Sequence, residues 1–242
     1  VITTNILTPT KPNDIIITFD PDPPDPENPP DDISDLTMEA GQCTTLHTWV
    51  IDDTGGLRPD WDTLVHWVIV DTIGNEVVYD TVDNSNELCF DKAHGCTKVY
   101  FTFSDPTFPD IVLTDSIEIC VEPGPVDHLV AEGAPDLAGN SRYDNPLDTL
   151  TISADAAADS VYALLRDEFG NFVSHDSTVQ WSVIPDGVAN VTAAAGRTQY
   201  GEGILSNTGT PGYDRVIAQS TTHSGEAFAD TCLDAVRANA TY

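Results

Sequence analysis

Positive charge is what this sequence has least of. Lys and Arg together number 9 in 242 residues, against 40 Asp and Glu, for a formal net charge of −31. A surface of that sign repels phosphate, which argues against DNA, RNA and anionic membrane surfaces as partners. Long apolar runs are missing as well. No stretch approaches the ~20 residues that cross a bilayer, so no membrane span is expected. Catalytic motifs are equally scarce: there is no Gly-x-Ser-x-Gly elbow, no His-Glu-x-x-His and no phosphate-binding glycine loop. Aromatic residues make up 8% and fall mostly at core-like positions, which leaves few for stacking on sugars. These gaps lead to the expectation of a non-enzyme with no catalytic residues.

What is present is enough to fold. Hydrophobic residues are 40% of the chain, and 242 residues suggest two domains. The sequence starts at Val1 with no apolar leader, as a mature chain would after its leader was removed. Four of the five cysteines, Cys43, Cys89, Cys96 and Cys120, lie in the first half. An even set in one domain, with no Cys-x-x-Cys pair, points to disulfides and a secreted, extracellular or cell-surface location rather than to zinc. The short spacing from Cys89 to Cys96 suggests a small disulfide loop. Cys43 with Cys120 would then tie the opening strand of that domain to its closing strand, worth ~4 kcal/mol if unstrained. Cys232 is left over, either buried in the last strand or available to a neighbouring subunit. Two Asn-x-Thr sequons, at Asn190 and Asn239, permit glycosylation.

Along the chain, residues 1–32 stand apart. Asp14-Ile15-Ile16-Ile17-Thr18-Phe19 is a run of strand formers, followed by thirteen residues of Asp, Pro, Glu and Asn from Asp20 to Asp32. Proline fixes φ and removes donors while the acids repel, so this segment reads as an extended, semi-rigid spacer. Residues 33–122 read as all-β, with strands over Thr44–Ile51, Thr63–Asp71, Glu76–Val82, Thr97–Phe103 and Ile111–Val121 between Gly-, Asn- and Asp-rich turns. Pro123-Gly124-Pro125 is a hinge, and residues 126–242 repeat the all-β pattern. The expected fold is therefore two tandem β-sandwiches behind an N-terminal extension, immunoglobulin-like by the resemblance that follows. The halves also look like distant repeats. Asp52-Asp53-Thr54-Gly55-Gly56-Leu57 precedes a strand ending in Trp67, and Asp167-Glu168-Phe169-Gly170-Asn171-Phe172 precedes one ending in Trp181. Trp67 and Trp181 are the expected core tryptophans.

Residues 126–237 resemble the bacterial Ig-like domains of invasin/intimin-type surface proteins. The resemblance is carried by Val161 to Val173, with its Arg166-Asp167-x-x-Gly170-Asn171-x-Val173 turn, by Val179-Gln180-Trp181, by Val188-Ala189-Asn190-Val191, and by Gly201-Glu202-Gly203-Ile204-Leu205. It implies spacers, adhesin stalks or building blocks of polymers, with no shared catalytic residues to carry over. The turn itself is explained by fold maintenance: Asp167 and Asn171 can cap amides, Gly170 can take positive φ and Trp181 can fill the space between sheets.

Three sets of residues are candidates for function. Carboxylates at Asp31, Asp32 and Asp35, where the spacer meets the first domain, offer the hard oxygens that calcium prefers, and Asp136, Asp144 and Asp148 offer them in a long loop of the second; no EF-hand spacing exists, and a solvated acidic face is the favoured explanation. No other cofactor is expected. His47 and His66, on neighbouring predicted strands, are a weaker metal pair. The third set is Ile15, Ile16, Ile17 and Phe19. A lone strand ahead of a proline-rich spacer must pair its backbone with water or with a sheet. That sheet belongs either to its own domains or to the next copy, in head-to-tail strand donation that does not close and so builds a fibre. The expected function is thus a secreted structural subunit of a filament, its partner another copy of itself. The alternative is an adhesin stalk or a calcium- or glycan-binding module. Copies that each carry −31 repel, so a polymer must rely on strand pairing, apolar burial or bound cations.

Overall fold

The computed structural model describes residues 10–22, 33, 35–70, 76–79, 85–141, 149–153, 159–184, 189–193, 198–207, 212–220 and 228–237. The chain divides into two compact units, residues Val1–Asp91 with Gly95–Glu122, and Lys92–His94 with Pro123–Tyr242.

In the first unit the described elements are β1 (Pro12–Thr18), β2 (Asp35–Glu39), β3 (Cys43–Asp52), the single-turn helix α1 (Pro59–Asp62), β4 (Val65–Val70), β5 (Glu76–Tyr79), β6 (Ser85–Cys89), β7 (Gly95–Ser104) and β8 (Val112–Glu122). They form two sheets, β1-β3-β6 and β2-β8-β7-β4-β5. Period-two alternation sets the core. Thr97, Val99, Phe101 and Phe103 of β7 point inward while Lys98, Tyr100, Thr102 and Ser104 point out. Trp67, 1% exposed, stands opposite Phe101 in register, and their rings meet edge-on with centroids 4.6 Å apart. Leu46 and Val50 of β3 are fully buried.

The second unit contains β9 (His128–Glu132), β10 (Thr149–Ser153), β11 (Asp159–Arg166), β12 (Phe172–His175), β13 (Gln180–Ile184), β14 (Ala189–Ala193), a 3-10 turn at Thr198–Tyr200, β15 (Glu202–Asn207), β16 (Gly212–Ser220) and β17 (Phe228–Arg237). One sheet runs β10-β17-β16-β13. The other runs β12-β11-β15-β14, with β9 also paired to β11. β11 is the buried spine, with every residue from Val161 to Arg166 buried. Trp181 is half-buried, packed against Leu129, Ala163, Leu165 and Ala218, and its Nε1 donates to the Gly201 carbonyl at 3.3 Å. A Cβ on Gly203 would lie 2.9 Å from that indole, which is why glycine stands there.

Both units follow one plan. The opening strand pairs antiparallel with one sheet, β1 on β3 and β9 on β11. The next strand joins the other sheet, parallel to the closing strand, β2 on β8 and β10 on β17. The pairings β3–β6, β4–β7 and β7–β8 recur as β11–β15, β13–β16 and β16–β17. The protein is all-β, built as two tandem immunoglobulin-like sandwiches. The strands expected over residues 33–122 include no counterpart for β2, β6 or α1. The sequence also reads β1 as part of an extension outside the first sandwich. In the structure β1 is counted in the first unit, because the exposed edge of β3 supplies its backbone partners.

Candidate functional site

The candidate assembly strand is β1. Its sequence, Pro-Asn-Asp-Ile-Ile-Ile-Thr, has three consecutive β-branched residues that favour extended backbone. It lies antiparallel to β3, with Ile15 opposite Val50, Ile16 opposite Trp49 and Ile17 opposite Thr48, and the register shifts between Pro12 and Asp14. An exposed edge strand usually shows alternation. Here Ile15, Ile16 and Ile17 are 3%, 8% and 0% exposed, so both faces of the strand are covered. Phe19, just past the strand, is 47% exposed and differs from the three isoleucines in that respect. Thr18 and Asp20 close the end of the strand in a local turn, the Thr18 hydroxyl donating to the Asp20 carbonyl and accepting from the Asp20 N–H.

The start of β1 is held by a latch that no sequence motif announced. Asp53 donates its N–H to the Lys11 carbonyl at 2.9 Å and accepts the Lys11 N–H on its own carboxylate at 3.2 Å. Arg58 donates from Nη2 to the Thr10 hydroxyl, and from Nε to Asp52 Oδ2 at 2.8 Å. Asp52 is itself 2% exposed and accepts from the Thr54 hydroxyl and from the Thr54 and Gly56 N–H groups. The Thr54 hydroxyl holds its pKa well below the usual carboxylate range, against the opposing effect of burial, and the Gly56 and Thr54 amides and Arg58 add to it. Gly55 takes φ of 82° to close this turn. The backbone of β3 at Val50 is served from the same loop. Val50 donates its N–H to Asp62 Oδ1 at 2.6 Å, and its carbonyl accepts from the Arg58 N–H. Burial, reinforced by neighbouring Asp60 and opposed by the Val50 bond, raises the Asp62 pKa to about 6.

Two sequence expectations are corrected. The disulfides are Cys43–Cys89 and Cys96–Cys120, not Cys43–Cys120 and Cys89–Cys96. The ladder decides the pairing. Cys43 stands opposite Cys89 between β3 and β6, and Cys96 opposite Cys120 between β7 and β8, with Cα separations of 4.2 and 3.9 Å. Ser85, Asn86 and Glu87 have turn and surface character, which conceals β6 in the sequence. His47 and His66 are not a pair either: they sit on β3 and β4, which belong to different sheets.

The calcium candidates Asp31 and Asp32, and most of the proline-rich spacer, lie outside the described residues, as do Asp144 and Asp148. Asp35 is exposed at the start of β2, beside Glu118 in register. Asp136 is occupied by its own loop. Burial raises its pKa, but the hydroxyl and N–H of Ser141 and the N–H groups of Gly139 and Asn140 outweigh that and lower it overall. Among the described residues, the groupings with metal-ligand spacing are Cys43, Glu87, Cys89 and Cys96, Glu118, Cys120, whose sulfurs are already committed to disulfides. The backbone of Cys232 lies in β17 opposite Val216.

The turn after β11 mirrors the latch. Asp167 Oδ1 accepts from the Phe169 and Asn171 N–H groups, both at 2.9 Å. Its Oδ2 accepts the Gly124 N–H and the Asn171 side-chain amide, also at 2.9 Å. Gly170, at φ 81°, donates to the Asp167 carbonyl as Gly55 does to Asp52. Arg166, fully buried, donates twice to Glu132 Oε1, at 2.8 and 2.5 Å, and from Nη1 to the Gly170 carbonyl at 2.8 Å.

No family model matches this chain, and no curated protein matches it either. Solved structures do align with it. Domains 1–6 of the surface layer protein SbsC align over 96% of this chain and 29% of that one at 14% identity, with a TM-score of 0.31. Mouse cadherin-23 repeats EC22–24 align over 93% of this chain and 65% of that one at 13% identity, TM-score 0.37. Immunoglobulin domains 1–4 of Sidekick-1 align over 86% of this chain and 50% of that one at 11% identity, TM-score 0.29. The chain thus spans about three-tenths of the length of the SbsC fragment. The fold assignment rests on the sheet order above and not on these alignments.

Proposed function

We propose that the chain is a non-catalytic structural module of an extracellular surface assembly, and that copies join by exchanging β1. The extracellular setting is supported by two disulfides that each staple adjacent strands, since such bonds persist outside the reducing cytosol. The exchange is supported by one observation: a strand at the edge of a three-stranded sheet carries three consecutive buried isoleucines. Every contact that β1 makes with β3 of its own chain is available on β3 of another, so exchange costs little in contacts, and a heterologous exchange runs on into a fibre.

A second reading has its own observation. β1 completes the sandwich of its own chain, as it would in a monomeric stalk of a surface protein, such as an adhesin. A staple separates the two. Asp14 and Ile51 are directly opposed in register, so Asp14→Cys with Ile51→Cys, in a Cys232→Ser background, locks β1 onto its own β3. Negative-stain electron microscopy and light scattering of the stapled chain should show monomers, while the alkylated Asp14→Cys single variant assembles. Equal assembly of both would overturn exchange. A control that stays monomeric at high concentration leaves the stalk reading in place.

A further inference from the structure

We infer that Glu87 is an electrostatic guard of the Cys43–Cys89 disulfide, which turns away anionic thiols and makes cleavage of this bond selective for the charge of the reductant. The guard sits on β6, not on β1, and does not depend on strand exchange. Its sequence form is Glu, an aliphatic residue, then Cys. It occurs twice, as Glu87-Leu88-Cys89 in β6 and Glu118-Ile119-Cys120 in β8. Period two puts the Glu and the Cys of each on one face of the strand and turns the aliphatic residue inward: Leu88 and Ile119 are both buried. Cys43 and Cys96 stand opposite Cys89 and Cys120 on the neighbouring strands. In each set a carboxylate oxygen lies within 4.8 Å of both sulfurs.

The two sets differ in reach and in company. Cys43, Glu87 and Cys89 are exposed, and β6 is the outer strand of β1-β3-β6, so a thiol can approach from solvent. Cys96, Glu118 and Cys120 are half-buried, and β8 and β7 are inner strands of their sheet. In register Glu87 faces Thr45, which is neutral, whereas Glu118 faces Lys98 and lies beside Asp35. The unbalanced carboxylate is therefore next to the accessible bond. Leu88 is the one buried residue of β6, and β3 its one ladder partner among the described residues, so this disulfide pins the edge of the sheet.

Cleavage by a thiol is a nucleophilic exchange. A thiolate attacks one sulfur, an RS–Sγ bond forms, and the Sγ–Sγ bond breaks with its electron pair leaving on the other cysteine. A second thiolate attacks the RS sulfur of the mixed disulfide, releases the first cysteine as thiolate and departs as RSSR. The cysteines gain two electrons from two thiols, and their thiolates take up from solvent the protons those thiols gave up. Negative charge is spread over three sulfurs in each step. Glu87 opposes it, because 4.8 Å is well inside the ~8 Å screening length at physiological salt. A thiol with a further negative group is repelled again, while one with an ammonium group is drawn in. The rest of the −31 charge is common to parent and variant and cancels when they are compared.

The test follows cleavage of each disulfide by alkylation and mass spectrometry in the full chain with Cys232→Ser, at low salt. Mercaptoethanesulfonate, mercaptoethanol and cysteamine serve as anionic, neutral and cationic thiols. Each rate is read as the ratio of variant to parent, so differences in thiol reactivity cancel. Glu87→Gln should speed cleavage of Cys43–Cys89 by mercaptoethanesulfonate by about fivefold or more, by mercaptoethanol less, and by cysteamine not at all. Salt at about 1 M should erase the difference, and the Cys96–Cys120 rate should not move. Thr45→Lys, which sets a positive charge opposite Glu87, should change the three rates in the same order, a pattern that a packing defect at either position would not produce. Equal acceleration by all three thiols overturns the inference, since a loosened strand would then be the cause. A mercaptoethanesulfonate rate that neither variant changes overturns it as well.

Discussion

Asp52 and Asp167 perform the same local task in the two sandwiches with different partners. Each stands at the end of a central strand, each closes a turn through a glycine with φ near 80°, and each gathers the amides of that turn on one oxygen. They differ in what the second oxygen holds. Asp167 Oδ2 takes a backbone amide, from Gly124, and the side chain of Asn171, both within buried surroundings. Asp52 Oδ2 takes Arg58, whose side chain is 42% exposed and which reaches on to Thr10 ahead of β1. At the position of Asn171 the first unit has Gly56, where a Cβ would approach the Asp52 carboxyl to 3.3 Å. The chain ahead of the second unit's opening strand is thus held at Gly124 by a buried carboxylate, and that ahead of the first at Thr10 by an exposed cation, beside the Lys11–Asp53 bonds. The first is the fastening that water can take over at low cost, as an exchangeable strand requires.

The largest effect that would break this comparison is Asp167→Ala. It leaves the Gly124 and Asn171 amides buried without an acceptor, and each such group costs about 1–3 kcal/mol. The expected loss is about 3–5 kcal/mol, seen in chemical denaturation as the second sandwich unfolding well before the first. Asp52→Ala should cost less, about 2 kcal/mol, because Thr54 is exposed and Gly56 and Arg58 are only partly buried, so water can reach the freed groups. Equal losses at the two sites would remove the distinction between a buried and a hydrated latch.

How much of this was legible beforehand follows from where the information sits. The turn Asp52-x-x-Gly55 and its repeat Asp167-x-x-Gly170 could be read directly, because both ends of each hydrogen bond lie within five residues. Most strands were legible from β-branched and aromatic runs. β6 was not, since Ser85, Asn86 and Glu87 have turn and surface character and only Leu88 of the strand is buried. With β6 hidden, the cysteine pairing had to come out wrong, because disulfide partners are set by the register of the ladder and not by spacing. β1 itself was visible as Ile15–Phe19, but its docking on its own β3 and the buried state of Ile16 depend on tertiary neighbours. Arg58, Thr10 and Asp62 are single residues joined across 48 and 12 positions, which no local pattern reports.

The third test concerns the other side of β3. Asp62 caps the Val50 amide from a buried site and has its pKa raised from 3.8 to about 6. A group with a raised folded pKa contributes its full stability below about pH 4 and loses it as pH rises through about 6. At neutral pH the buried carboxylate is therefore a burden. Asp62→Asn keeps an oxygen for Val50 and removes the charge. It should stabilise the first sandwich at pH 7 by on the order of 2 kcal/mol, given that one pKa unit corresponds to about 1.4 kcal/mol. The difference between variant and parent should vanish below about pH 4. Thermal melts from pH 4 to 8 read this out, and a gain that is constant with pH would show that packing and not ionisation is responsible.

The smallest effect on stability is the one that bears most closely on β1. Arg58→Met keeps much of the aliphatic stem that passes Trp61, 5.7 Å from the guanidinium carbon to the ring centroid, but removes the donors to Asp52 and Thr10. Because Arg58 is exposed, global stability should fall by less than about 1 kcal/mol. The local consequence should be larger than the global one. If the exposed latch is what holds the start of β1, the amides of β1 that pair with β3 should exchange hydrogen faster by about fivefold or more in the variant, while those of β9 in the second unit stay as they were. Uniform acceleration across both units would mean that Arg58 contributes only to overall stability. No acceleration in β1 would mean that the strand is held by its three isoleucines alone, and strand exchange would then have to overcome their burial rather than the release of a latch.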